Sequence, residues 1–309
     1  MNSAIHQLIG QQCNDWTQCG ENYSALTTVE IQDFEVNGFS FKVQFNPKRI
    51  QSSAAKVDSK SILERKCFLC EQNRPSEQIG IPFTSKKGNS YSILVNPFPI
   101  FRQHLTIPST SHQDQRIEGR IEDMLELASI TDDFLFFYNG PKCGASAPDH
   151  FHFQAGNKGF LPIEVNIEKI LASETTQLDV IAYSLDSYPA KAVILKSADS
   201  NEISEWFRQF YHKFEAVSDD KEEPMMNLLA WKTDDLYYLV IYPRKAHRPK
   251  QFFAEGEDNL LISPASIDFG GAFITPLEKD FRKITSKDIA DILQQVTISE
   301  ETFNALIHE

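Results

Sequence analysis

The sequence predicts an α+β fold in two halves, with strands and helices alternating around apolar cores. Three observations carry that expectation. Apolar residues alternating with polar ones mark strands, as at Phe39, Phe41, Val43 and Phe45. Apolar residues at helical spacing mark amphipathic helices, as at Ile203, Phe207, Phe210 and Phe214. The stretch Leu236–Pro249 echoes Tyr91–Pro108: each runs strand, proline, then a cation and a histidine, which hints at one unit built twice. A chain of 309 residues suits two domains or one core repeated. The division is placed near residue 176, giving a first half over residues 1–175 and a second over residues 176–309.

The elements follow in order. Residues 27–46 alternate as strands, beginning at Val29 and Ile31. Tyr91–Val95 and Leu105–Ile107 form a strand pair around Asn96-Pro97-Phe98-Pro99. Ile117, Ile121, Met124, Leu125 and Ala128 keep helical spacing and predict a helix over 115–130. A phenylalanine-rich strand over 134–138 leads into a turn-rich loop, and a second strand covers 150–155. In the second half, 201–216 is helical, and 227–231 and 237–242 are strands. Ser286 is placed to cap a helix carrying Ile289, Ile292, Leu293 and Val296.

Composition narrows the function. A net charge of −13 argues against a broad nucleic-acid footprint. A local cationic pocket stays open, because Arg102, Lys142, Lys158, Arg244, Lys245 and Arg248 lie near candidate site segments. No apolar run approaches the roughly 18 residues of a membrane span, and Met1–Gln7 has neither a basic n-region nor a long apolar h-region. Five cysteines, an odd number at low density, fit a reducing, cytoplasmic setting. The aromatic surplus permits a homodimer.

The chemistry concentrates in His150-Phe151-His152-Phe153-Gln154. On an extended strand the two imidazoles and the amide share one face, while Phe151 and Phe153 point into a core. Asn139-Gly140 through Gly144 and Ser146 form the loop before it, whose backbone N–H groups can cradle an anion. A histidine pair spaced in this way is more often incidental than catalytic. The adjacent loop, the glutamine and the distant cysteines together reverse that weighting. Cys67-Phe68-Leu69-Cys70 places two thiols within one turn, which suits a zinc knuckle, a redox pair or two inert thiols. His112 and His150 are the candidates to close a metal site, with His104 competing for the place of His112.

These fragments together resemble the galactose-1-phosphate uridylyltransferase branch of the histidine-triad superfamily. That branch includes the diadenosine-polyphosphate phosphorylases and the GDP-hexose phosphorylases. The resemblance rests on Cys67-Phe68-Leu69-Cys70 with Asn73, on Leu105–Pro108 leading to His112, and on Asn139 through Gln154. A softer match runs from Pro243-Arg244-Lys245-Ala246-His247-Arg248 to Asn259–Pro264, Gly270-Gly271 and Thr275-Pro276. It implies two histidine-triad-like halves, each a mainly antiparallel sheet with flanking helices. It implies His152 as nucleophile, Gln154 and Ser146 as phosphate contacts, and Asn96 as a ribose contact. The implied ligands of a structural zinc are Cys67, Cys70, His112 and His150. The chain departs from the family in carrying Phe151 between the histidines and Asp149 as an extra residue before them.

Imidazole is a good nucleophile that is neutral near pH 7. A covalent nucleotidyl-histidine would split one displacement into two. Glutamine at 154 can only hydrogen-bond, which favours transfer to phosphate or a sugar phosphate over hydrolysis. Arg244, Lys245, His247 and Arg248 would bind a second phosphate, or form a solvated turn. The expected activity is nucleotidyl transfer or phosphorolysis on a nucleoside diphosphate sugar or dinucleoside polyphosphate. The alternatives are a nucleotide hydrolase, a non-catalytic nucleotide-binding protein and a zinc-stabilised interaction module.

Overall fold

A computed structural model describes residues 1–50 and 59–308. Its centre is a ten-stranded sheet. The first five strands are β3 (Gly80–Thr84), β4 (Ser90–Val95), β5 (His104–Pro108), β6 (Phe134–Asn139) and β7 (His152–Asn157). The other five are β8 (Thr175–Gln177), β9 (Ala182–Leu185), β10 (Val193–Ser197), β11 (Met226–Thr233) and β12 (Leu236–Pro243). Every neighbouring pair in this sheet is antiparallel. A second sheet joins β1 (Glu30–Val36) and β2 (Phe39–Phe45) antiparallel, with β13 (Ala272–Thr275) parallel to β2.

The large sheet repeats one topology. Its spatial order is β3-β4-β5-β7-β6 followed by β11-β12-β10-β9-β8. Read outward from the centre, each unit places its fourth strand innermost, then its fifth, third, second and first. The helix between the third and fourth strands is Ile121–Ile130 in one unit and Ser200–Val217 in the other. The units meet where β6 pairs β11, with Asn139 opposite Asn227 and Phe136 opposite Ala230. This order equates β12 with β7. The sequence echo of Leu236–Pro249 with Tyr91–Pro108 therefore aligns segments that do not correspond in the fold.

Side-chain alternation gives the sheet two covered faces. Leu105, Ile107, Phe134, Phe136, Tyr138, Phe153, Leu228 and Leu239 face a core closed by the helices Asn2–Asp15, Ile121–Ile130, Ser200–Val217 and Glu300–Ile307. Leu135, Phe137, Leu229, Trp231, Val240 and Tyr242 face a second core, closed by the small sheet and the helices Pro162–Val165, Ile167–Ser173, Ser266–Phe269, Glu278–Lys283 and Ser286–Val296. Burial on both faces explains the uninterrupted apolar run of β6. None of the described helices is long and apolar enough to cross a membrane.

Three boundaries differ from the sequence expectation. The helix predicted over 115–130 begins at Ile121, because Ile117 is buried in the preceding turn, where its N–H donates to Glu223 Oε1. The last-but-one helix is capped by Thr285 rather than Ser286: the Thr285 hydroxyl accepts from Asp288 N–H in a capping box. The strand predicted from residue 150 begins at His152, since His150 still lies in a turn, its N–H donating to Ala147 O.

Candidate active site

The late start of β7 separates the two histidines. His150 belongs to the turn and its ring faces the cysteines; His152 opens the strand and faces a cavity. They therefore do not share a face, and only His152 and Gln154 project together. Phe151 and Phe153 pack in the helix-covered core as expected.

Cys67, Cys70, His112 and His150 converge, with all four ligand atoms within 4.8 Å of one another. Cys67 Sγ lies 3.2 Å from His150 Nδ1, and Cys70 Sγ lies 3.2 Å from His112 Nδ1 and 3.5 Å from His150 Nδ1. Tetrahedral zinc, with bonds of about 2.3 Å to sulfur and 2.0–2.1 Å to nitrogen, sets adjacent ligands at roughly such separations. The set can hold a metal ion. Burial opposes ionisation of Cys67, but hydrogen bonds from His150 and from the Leu69 and Cys70 backbone outweigh it and bring the thiol to about 6. His150 Nε2–H donates to Ser109 O at 2.8 Å, which fixes the ring with Nδ1 turned to the two sulfurs, where it can serve as a ligand atom to metal. Asn73 closes the knuckle by donating to Cys67 O, and the extra Asp149 pairs with Arg65 on its flank. His104 is not one of this group. It is buried in β5 and bonded to Gln154.

His152 is 3 % exposed. Its Nδ1–H donates to His150 O at 2.9 Å, so Nε2 is left as the free ring nitrogen. Burial brings its pKa down to about 4 against the hydrogen bond to His150 O, which opposes the shift, and the ring is neutral near pH 7. Gln115, which the sequence pattern does not reveal, clamps this position. Its Oε1 accepts from His152 N–H, and its Nε2 donates to His152 O and Asn139 O.

The cavity beside His152 holds about 450 Å³. Its lining includes the apolar residues Trp16, Phe68, Leu69, Leu94, Pro97 and Phe98. It also includes the polar residues Arg49, Asn139, Ser146, His152, Gln154, His247, Arg248 and Asp268. Gly144, at φ +93°, lines it where a Cβ would fall 2.8 Å from Ala265 Cβ, so only glycine fits. Asn96 also lines it. Its Oδ1 accepts from Phe98 N–H and its Nδ2 donates to Thr106 Oγ1, which shapes the 96–99 turn.

Several expected residues lie elsewhere. Gly140 is not in the lining; its N–H donates to Met226 O and its Cα hydrogen faces that same oxygen at close range. Lys245 is exposed outside the cavity. Arg244 is 2 % exposed and sits behind the wall, donating to Asn227 Oδ1, Pro264 O, Ala246 O and His247 O. These bonds occupy both terminal guanidinium nitrogens, the pair a bidentate phosphate contact would need. Asn227 relays the contact, donating to Asn139 Oδ1 and to Cys143 O in the loop. The wider cationic cluster is dispersed as well. Lys142 pairs with Asp220 and Glu222, Lys158 donates to Lys232 O, and of the basic residues named in that cluster only Arg248 lines the cavity.

Arg49 was not foreseen. It follows β2 in the turn Pro47–Arg49 and donates to Phe98 O. Its buried Nε has no partner among the described residues, which suits an incoming anion. Burial brings its pKa down to about 10, with Asp268 opposing the shift. Nothing in Pro47-Lys48-Arg49 distinguishes it from a surface turn; the small sheet delivers it to the cavity.

The chain matches known proteins along nearly its whole length. Residues 8–157 match the family described as a domain of unknown function, DUF4922. Residues 163–309 match the GDPGP1-like C-terminal domain. Over 169 residues the chain is 22% identical to galactose-1-phosphate uridylyltransferase of Halalkalibacterium halodurans, a stretch of 50% of this chain and 32% of that protein. The chain thus spans about a third of the length of that curated relative. The crystal structure of yeast Ap4A phosphorylase Apa2 superposes with a TM-score of 0.59 at 14% identity, covering 91% of this chain and 96% of that one. The complex of that protein with Ap4A gives a TM-score of 0.57 at 15% identity, covering 92% and 97%. At these identities the structural likeness establishes a common fold.

Proposed function

We propose that this chain, as a member of the histidine-triad branch that contains galactose-1-phosphate uridylyltransferase, the diadenosine-polyphosphate phosphorylases and the GDP-hexose phosphorylases, transfers a nucleotidyl group through His152. The substrate is a nucleoside diphosphate sugar or a dinucleoside polyphosphate; the acceptor is phosphate or a sugar phosphate. Nε2 attacks the α-phosphorus, a P–N bond forms, and the P–O bond to the leaving phosphate breaks with its electron pair departing on oxygen. Attack by the acceptor on the nucleotidyl-histidine then restores the neutral ring.

One observation carries this reading: a buried, neutral imidazole with Nδ1 tied to His150 O and Nε2 left free at a cavity. The rest is supporting geometry. Gln154, Asn139 and Ser146 supply donors to the phosphoryl oxygens as charge develops. Arg49 and Arg248 supply positive charge to the phosphate chain. The apolar lining residues receive the base, and the remaining N–H of Asn96 meets the ribose. The first half, residues 1–175, carries the nucleophile, and the second, residues 176–309, completes the pocket with His247, Arg248 and Asp268. Gln154 has no proton to exchange near pH 7, which favours transfer over hydrolysis.

Cys67, Cys70, His112 and His150 would hold a structural zinc. With four protein ligands it would brace the turn into β7 and offer no open position for water.

Intact mass spectrometry after incubation with ADP-, GDP- and UDP-linked compounds tests the proposal. The wild type gains one nucleotidyl mass, and the increment names the base. His152→Ala gains none. An adduct retained by that variant refutes the assignment.

A further inference from the structure

Resting on that reading of His152, we infer that His104 is a positioning residue, which fixes the amide of Gln154 so that this side chain presents only donors to the phosphoryl group. On β5 and β7 the register places His104 opposite Gly156 and Thr106 opposite Gln154, so His104 stands diagonal to Gln154 on the cavity face. Gly156 leaves the necessary room: a Cβ there would meet the Phe101 ring at 2.4 Å. The His104 ring is wholly buried, with Phe101 at 5.4 Å and Phe137 at 5.9 Å between ring centres. Its backbone is gripped by Tyr23, whose hydroxyl donates to His104 O and accepts from His104 N–H.

Both ring nitrogens are engaged, and their roles can be assigned. Ile100 N–H donates to His104 Nδ1 at 3.2 Å. A backbone amide only donates, so Nδ1 is the acceptor and the neutral ring carries its proton on Nε2. That nitrogen lies 3.2 Å from Gln154 Oε1 and therefore donates to it. With its oxygen held from behind, Gln154 turns its NH2 group to the cavity. Burial, reinforced by the charge of Arg49, keeps His104 near a pKa of about 3, so acid does not switch the arrangement near neutrality. Asn139 is held in the same manner: its Oδ1 accepts from Asn227 Nδ2 and Ser266 N–H, which leaves its NH2 for the cavity. Two amides are thus anchored by oxygen with their nitrogens toward the site, an arrangement suited to an oxyanion.

A double-mutant cycle on the rate of nucleotidyl adduct formation tests this. His104→Phe preserves an aromatic ring and removes the donor; it should slow the reaction about 30-fold, less than the roughly 100-fold or more for outright loss of an oxyanion donor. Gln154→Ala should lose at least that factor, and the double variant should be no slower than Gln154→Ala within about threefold. Losses that multiply would mean that His104 acts independently of Gln154. If His104→Phe does not fold, histidine ¹⁵N NMR of the wild type reads the same claim directly. The expected signal is the Nε2–H tautomer, constant between about pH 5.5 and 8.5; a proton on Nδ1 overturns the proposal. Absence of any adduct in the wild type would overturn the nucleophile reading and leave the tautomer result standing separately.

Discussion

The two units of the large sheet share one strand order and differ in how their last two strands are joined. In the first, β6 and β7 are connected by residues 140–151, which carry Gly144, Ser146 and His150. In the second, β11 and β12 are connected by Asp234 and Asp235 alone, with Thr233 paired to Leu236 and Asp234 at φ 53°. A two-residue hairpin is too short to wrap an anion as a twelve-residue connection can. The strand faces differ in the same sense. On the side away from the long helices, β5 and β7 present His104, Thr106, His152 and Gln154. The corresponding β10 and β12 present Ile194, Tyr238, Val240 and Tyr242. Repetition supplies the scaffold, and one loop with four polar positions distinguishes the unit that carries His152 from the other. The second unit still contributes, through the segment after β12 that brings His247 and Arg248 to the cavity wall.

Arg244 is where that comparison breaks first. It belongs to the second unit, yet through Asn227 it holds Asn139 and the Cys143 carbonyl of the first. Arg244→Met would strand four acceptors that the guanidinium now satisfies. The expected loss is about 4 kcal/mol in urea unfolding, at roughly 1 kcal/mol for each acceptor left without a partner. Adduct formation should fall with it. A variant within about 0.5 kcal/mol of wild type, the range of an ordinary surface change, would show that the two units are not coupled at this point.

The candidate metal ligands come next, and they test the first unit alone. Cys67, Leu69 and Ala147 form a small apolar cluster separate from both main cores. Cys67→Ser should therefore abolish metal content by atomic absorption while far-UV circular dichroism changes little. Since the lost ligand frees the turn that sets His152, adduct formation should slow on the order of 10- to 100-fold, as for other disturbances of a metal site. Loss of the whole fold would mean that the knuckle stabilises more than its own turn.

The sequence made some of this legible and hid the rest for physical reasons. Strands with alternating or continuous apolar residues were readable because burial dictates their composition, as in β2, β4 and β6. The convergence of Cys67, Cys70, His112 and His150 could be anticipated because those residue types have few other common uses together. The starting point of β7 was not readable, since it depends on a hydrogen bond from His150 N–H to Ala147 O, and period-two spacing reads the same on either side of it. Nor were Arg49, Gln115 and Asn227 readable. Each acts through partners far off in the chain, and an Arg in a turn or a Gln in a loop carries no local mark of that task. Arg244 shows the converse: a cation in a promising motif, directed by the fold into the protein's own carbonyls.

The smallest expected effect separates two neighbours in that motif. Lys245 is exposed and outside the cavity, whereas Arg248 lines it, stacked over Phe252 at 4.0 Å with Nε donating to Ser263 Oγ. If the segment after β12 receives the acceptor's phosphate, Arg248→Ala should raise KM for the acceptor about tenfold, the loss of one partly solvated charge-assisted hydrogen bond. The first-step adduct rate should change little. Lys245→Ala should leave both within about twofold, since a solvated charge beyond the pocket is screened. Equal effects from the two would place the acceptor's charge in the general field of the surface rather than in the cavity, and would deny the second unit its share in the site.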